Sequence, residues 1–159
     1  MLEAILGKFP TSIFSTTCRL QQENALVGEL ALSIWREKAR LEVEEGTYEL
    51  RREALLAGDF LLEKDGKVIA RASKPSILEN RFEVELPDRR LVLRKLSWLH
   101  WRYGVFDGDK EIGTVYPQPG IFTRHVNVDL PVDWPLPIRV FLFWLSLIMW
   151  RRQSQAAAS

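Results

Sequence analysis

The sequence predicts a mainly β protein, a closed antiparallel barrel of about twelve strands enclosing a hydrophobic C-terminal helix. Three observations carry this. From residue 11 to residue 131 apolar and polar side chains alternate with period two, broken about every six to ten residues by turn chemistry, which is the signature of a strand meander. The stretch 135–152 is instead apolar on every side, so as a helix it must be surrounded by protein or by lipid. An open sheet of so many strands curls or closes, and a closed one needs a filled lumen, for which this helix is the obvious filling.

Taken in order, the candidate strands begin with 11–19 and 25–35, the second holding Leu26, Gly28, Leu30 and Leu32 on one face. In 38–43, Ala39, Leu41 and Val43 alternate with Arg40 and Glu42, and Glu45-Gly46 turns the chain into 47–53. Gly58-Asp59 opens 60–64. Asp65-Gly66 is the strongest hairpin signal, because both central residues of a tight primed turn need positive φ, and its return strand is 67–73. Strand 80–86 points Phe82, Val84 and Leu86 inward and passes through Pro87-Asp88 to 90–96. Asp107-Gly108-Asp109 joins 101–106 to 110–116, and after the loop 117–120 the strands 121–124 and 125–130 close the series.

The helix is expected near 137–152, with Pro137 in its first turn, Arg151 and Arg152 in its last, and a disordered tail over 153–159. Its uninterrupted apolar part, 140–150, rises about 16 Å, roughly half the ~30 Å of a bilayer core. That length favours a helix buried in the barrel. The alternative is a tail-anchored membrane protein in which 137–152 is the anchor of a β-rich domain.

At 159 residues the chain has room for one domain, expected over 11–152. The 47% apolar and 27% charged content is that of an ordinary globular protein, and a net charge of +1 gives no global attraction to nucleic acid, which is not an expected partner. A lone cysteine, Cys18, excludes an internal disulfide and a cysteine metal cluster. The first ten residues make a poor signal peptide, so a cytoplasmic protein is expected, peripheral to the membrane if it meets one.

The short alternating strands, the strand–Asp-Gly–strand unit over 60–73, and the hydrophobic helix after a proline-rich approach resemble the Tubby C-terminal-like superfamily, which takes in the LURP-one-related proteins and the phospholipid scramblases. The resemblance covers about 20–152. It implies a twelve-stranded barrel threaded by its own C-terminal helix, and a binding or membrane-associated module: Tubby domains bind phosphoinositides and scramblases act on phospholipids. It transfers no functional residue to this chain.

The residues themselves offer one suggestive stretch, 89–104. Arg89, Arg90, Arg94, Lys95 and Arg102 interleave with Trp98 and Trp101 and no acid, which suits an anionic phospholipid surface. Read plainly, the same alternation puts Leu91 and Leu93 inside and leaves the basic residues as a solvated face. Asp107, Asp109 and Glu111 have the opening spacing of a calcium loop, but Ile112 and Gln118 stand where it needs glycine and glutamate. His100 and His125 lack neighbouring ligands, and Cys18 reads as a small core residue. Glu42, Glu44 and Glu45, with Glu37 and Glu49, tint the first third acidic. With no catalytic constellation, metal or cofactor motif, the expectation is a non-enzymatic module that binds an anionic phospholipid or a protein partner.

Overall fold

The computed structural model describes residues 1–7, 16–33, 36–55, 57–74, 80–97, 101–119 and 125–158. The strands are β1 (Leu2–Leu6), β2 (Thr16–Gln22), β3 (Ala25–Ser33), β4 (Lys38–Val43), β5 (Gly46–Ala54), β6 (Ala57–Lys64), β7 (Lys67–Ser73), β8 (Arg81–Glu85), β9 (Arg90–Lys95), β10 (Tyr103–Asp107), β11 (Lys110–Pro117) and β12 (His125–Asp129), followed by α1 (Leu136–Ala158). Every strand pairs antiparallel with its sequence neighbours. β1 closes the barrel against β12, with Leu2 opposite Val128 and Ile5 opposite His125.

Alternation does the sorting. Leu30, Leu41, Leu50, Leu62, Phe82, Leu91, Leu93 and Val105 point inward and are buried, and α1 fills the space between them with Val140, Phe141, Leu142, Phe143 and Leu145. Phe60 anchors the contact, edge-on to Phe82 at 5.2 Å and to Trp144 at 5.6 Å. The one polar group in the middle of the helix is satisfied locally, since the Ser146 hydroxyl donates to the Leu142 carbonyl at 2.9 Å. Glu23-Asn24 and Asp65-Gly66 take positive φ at both residues, as a primed two-residue turn requires.

Three expectations need correction, and a fourth lies outside the described residues. The first strand is Leu2–Leu6, nine residues before the expected domain start plus none of its alternation: LEAIL is too short and too apolar to display a pattern, and it is held by pairing with distant β12 and with β2. The expected strands 11–19 and 121–124 fall partly or wholly outside the described residues. Leu26 is exposed at 52%, because a register shift at Leu20/Gln21 separates it from the inward row of Leu30 and Leu32. The helix also continues through 153–158, where Gln153 accepts from Tyr103 and Lys95 and alanines propagate the turn, so Arg151 and Arg152 lie within the helix and not at its last turn.

In a barrel of this topology successive connections fall at alternate ends. The near end, where α1 starts, carries the turns 23–24, 44–45, 65–66, 86–89, 108–109 and the approach 130–135. The far end carries the other connections and the C-terminal part of α1.

Candidate functional site

The structure divides the basic stretch instead of gathering it. Arg89 and Arg90 are at the near end, Arg89 bonded to Asp88 and stacked 5.4 Å over Trp134, Arg90 within 3.9 Å of Glu85. Arg94 lies on the outer face, 4.2 Å over the Phe106 ring. Lys95 has the parity of Leu91 and Leu93, so at the far rim it reaches inward to Gln153 and lies 5.0 Å from the Trp101 ring. Arg102 covers Tyr116 at 4.4 Å, also at the far end. Trp98 and His100 lie outside the described residues.

What gathers is charge, by end. Among the described residues the near-end turns carry Glu23, Glu44, Glu45, Asp65, Asp88, Asp109 and Asp133 against Arg89, and the strand ends beside them add Asp107 and Asp129 and the bases Lys64, Lys67, Arg90 and Lys110. Among the described residues the far end carries Arg36, Lys38, Lys74, Lys95, Arg102, Arg151 and Arg152 on its connections, strand ends and helix, and its acids Glu37, Glu53 and Asp59 are each paired with an arginine. Glu53 and Asp59 both face Arg71, and these contacts hold the Glu53 carboxyl below its ordinary range, chiefly through the Asp59 backbone N–H and then Arg71. The helix dipole has the matching sense, its positive N-terminus among the acids and its negative C-terminus among the bases.

The centre of the far end is Glu37. It is 3% exposed at φ +50°, and its carboxylate accepts from Arg152 at 3.0 and 3.1 Å and from Arg52 at 3.2 Å. Both guanidiniums also lie over the Phe60 ring, at 4.7 and 5.5 Å. This clasp ties the helix to β5 and to the turn before β4. Burial, and secondarily the neighbouring Arg152 charge, push the Lys74 ammonium below its ordinary range.

Two concavities flank Glu37. On the outside, Arg36, Lys38, Arg51 and Arg52 line a depression of about 160 Å³ beside Glu53 and Leu55. On the inside, Leu6, Gly7, Thr16, Leu32, Trp144, Leu147 and Ile148 line a mainly apolar cavity of about 220 Å³, with Glu37 and Arg151 also on its wall. Exposed Leu55 (76%), Leu96 (36%) and Trp101 (42%) sit on the connections of the same end.

The near end has the larger groove, about 780 Å³, bordered by Glu23, Glu29, Glu42, Glu44 and Glu45. Arg139 closes its floor, donating to the Trp134 carbonyl at 3.1 Å and to Gln22 at 3.0 Å. The glutamates noted in the sequence thus separate: Glu42, Glu44 and Glu45 border this groove, and Glu37 is in the clasp.

Little supports chemistry by bond-making. Burial pushes the Cys18 thiol up to about 12, which keeps it protonated and unreactive at neutral pH. Asp107, Gly108 and Asp109 make the hairpin between β10 and β11, and among the described residues no group of three potential ligands is placed to hold a metal.

Sequence reasoning missed Arg36, Lys38 and Arg52, and noted Glu37 only as part of an acidic tint, because each looks like an ordinary turn or strand charge. The signal that finds them is the meander itself: sorting alternate connections separates acidic turns from basic ones. No protein-family model matches the chain, and neither does any curated protein or solved structure.

Proposed function

We propose that this protein is a non-enzymatic module that docks on anionic phospholipid surfaces through the far end of the barrel. The observation that carries the reading is the partition of charge along the barrel axis: a protein with a net charge of +1 presents one basic end and one acidic end. A negatively charged leaflet attracts the first and repels the second, each basic side chain near the surface contributing about 1 kcal/mol. Leu55, Leu96 and Trp101 stand among those bases, and tryptophan favours the interface between headgroups and chains. The depression between Arg36, Lys38, Arg51 and Arg52 suits a phosphate.

On this reading the protein is cytoplasmic and peripheral, and belongs with the Tubby-like barrels; the closed twelve-stranded barrel around a C-terminal helix supports that kinship. The helix serves as core and not as anchor. Val140 to Leu145 are buried by the strands, and no helix among the described residues is long and apolar enough to cross a membrane.

The test is vesicle sedimentation with two triple variants of equal net charge. Replacing Arg36, Lys38 and Arg102 by glutamine, or Arg89, Arg90 and Lys110 by glutamine, each removes three charges (+1 − 3 = −2). The far-end set should lower affinity for anionic vesicles by about two orders of magnitude and the near-end set far less. Equal losses from the two sets would refute docking by the far end.

A further inference from the structure

We infer that the apolar cavity inside the far end takes the acyl chain of a single anionic amphiphile, with its headgroup on the basic depression across Glu37. The inference deepens the docking reading, because it names what that end would hold beyond a flat membrane contact.

The cavity follows from how the barrel is filled. Helix α1 packs against β6, where Phe60 meets Trp144 edge-on at 5.6 Å. Strands β1, β2 and β3 are adjacent in the barrel and lie three to five places from β6. The space left beside the helix is bounded by Leu6, Thr16 and Leu32 on one side and Trp144, Leu147 and Ile148 on the other. Small residues widen it. A Cβ on Gly7 would come within 2.7 Å of the Thr17 carbonyl oxygen, so the backbone approach that shapes this wall excludes a larger residue there.

Its polar fringe decides the ligand class. Glu37 lines the cavity and bonds Arg52, and Arg52 lines the basic depression, so the two concavities share one wall. Arg151 stands at the cavity as well. An uncharged hydrocarbon would use only the inner space and a free phosphate only the outer one. An anionic head joined to a hydrocarbon chain matches both. The volume of about 220 Å³ is below the ~300 Å³ at which pockets for drug-sized ligands begin, so one chain, or part of one, is the occupant.

The test needs no membrane. The full chain is titrated with straight-chain carboxylates from hexanoate to dodecanoate, below their micelle concentrations, and binding is followed by calorimetry. Affinity should rise roughly fourfold per methylene and then level off when the cavity is full. Leu147→Trp, at a half-buried position on the cavity wall, and Leu32→Phe should each flatten the chain-length series. Arg36→Gln with Lys38→Gln should weaken every member of the series by a similar factor. Affinity independent of chain length in the unmodified protein overturns the inference, as does an unaltered series in both cavity-filling variants whose unfolding transitions show them folded. Vesicle binding that depends on Arg36, Lys38 and Arg102 alongside a flat series would remove the acyl site and leave docking standing. A rising series without vesicle binding would support the site and remove docking.

Discussion

Glu37 holds a carboxylate out of water in a backbone conformation that glutamate seldom adopts, and two arginines make that tenable. Removing one member of such a group leaves the others buried without a counter-charge, which costs more than the group contributes when whole. Glu37→Ala should therefore lower stability by about 3 kcal/mol, the low end for a buried pair because Arg152 keeps some solvent. Glu37→Gln, which keeps the shape and some hydrogen bonding, should lose less. Denaturant unfolding measures both, and a loss below about 1 kcal/mol in Glu37→Ala would dissolve the clasp. Cys18 makes a second prediction at this scale. Its folded value of about 12 exceeds its ordinary 9.0, so the folded state keeps a proton that the unfolded state releases. Its contribution is fully present below pH 9 and is lost as pH rises from 9 towards 12, at up to about 1.4 kcal/mol per pH unit. Alkylation at pH 8 should modify the thiol only as fast as the protein unfolds.

Helix α1 and the strand seam around it are the elements on which the barrel depends. Ending the chain after Asp133 removes Phe141, Phe143, Trp144 and their neighbours from the centre of the core, and the strands cannot collapse onto the space left. That truncated chain should lack the cooperative unfolding transition of the whole, by circular dichroism and denaturant titration. A domain that stays folded would restore the helix to the role of an anchor. Gly113 tests the seam, since a Cβ there would press into the Asp129 carbonyl oxygen across the β11–β12 ladder. Gly113→Ala should cost about 2–3 kcal/mol. The elements were legible where local chemistry specifies them: Asp65-Gly66 announces its hairpin, and Phe82, Val84, Leu91 and Leu93 announce their face. Leu2–Leu6 was not, because its closing partner β12 is more than a hundred residues away, and five residues without a turn signal carry no periodicity to read.

At the scale of the whole molecule, composition hid what topology reveals. Acids and bases nearly cancel in the sum, and only the rule that alternate turns of a meander share an end separates them in space. The stretch 89–104 looked like a patch because its bases are adjacent in sequence. Strand β9 separates Arg89, in the turn before it, from Lys95 at its far end by about 20 Å along the strand direction. Polarity of this kind predicts that association with anionic vesicles weakens steeply as salt rises, because exposed charges are screened within about 10 Å at 0.1 M. It also predicts one orientation. Leu55→Cys and Val132→Cys place a single reactive thiol at the far and the near end respectively, at positions 76% and 65% exposed, with Cys18 buried and unreactive. Each variant, carrying an environment-sensitive fluorophore, is bound to anionic vesicles containing a spin-labelled lipid. Strong quenching at position 55 and little at position 132 is the predicted result; equal quenching, or quenching confined to position 132, would contradict docking by the basic end.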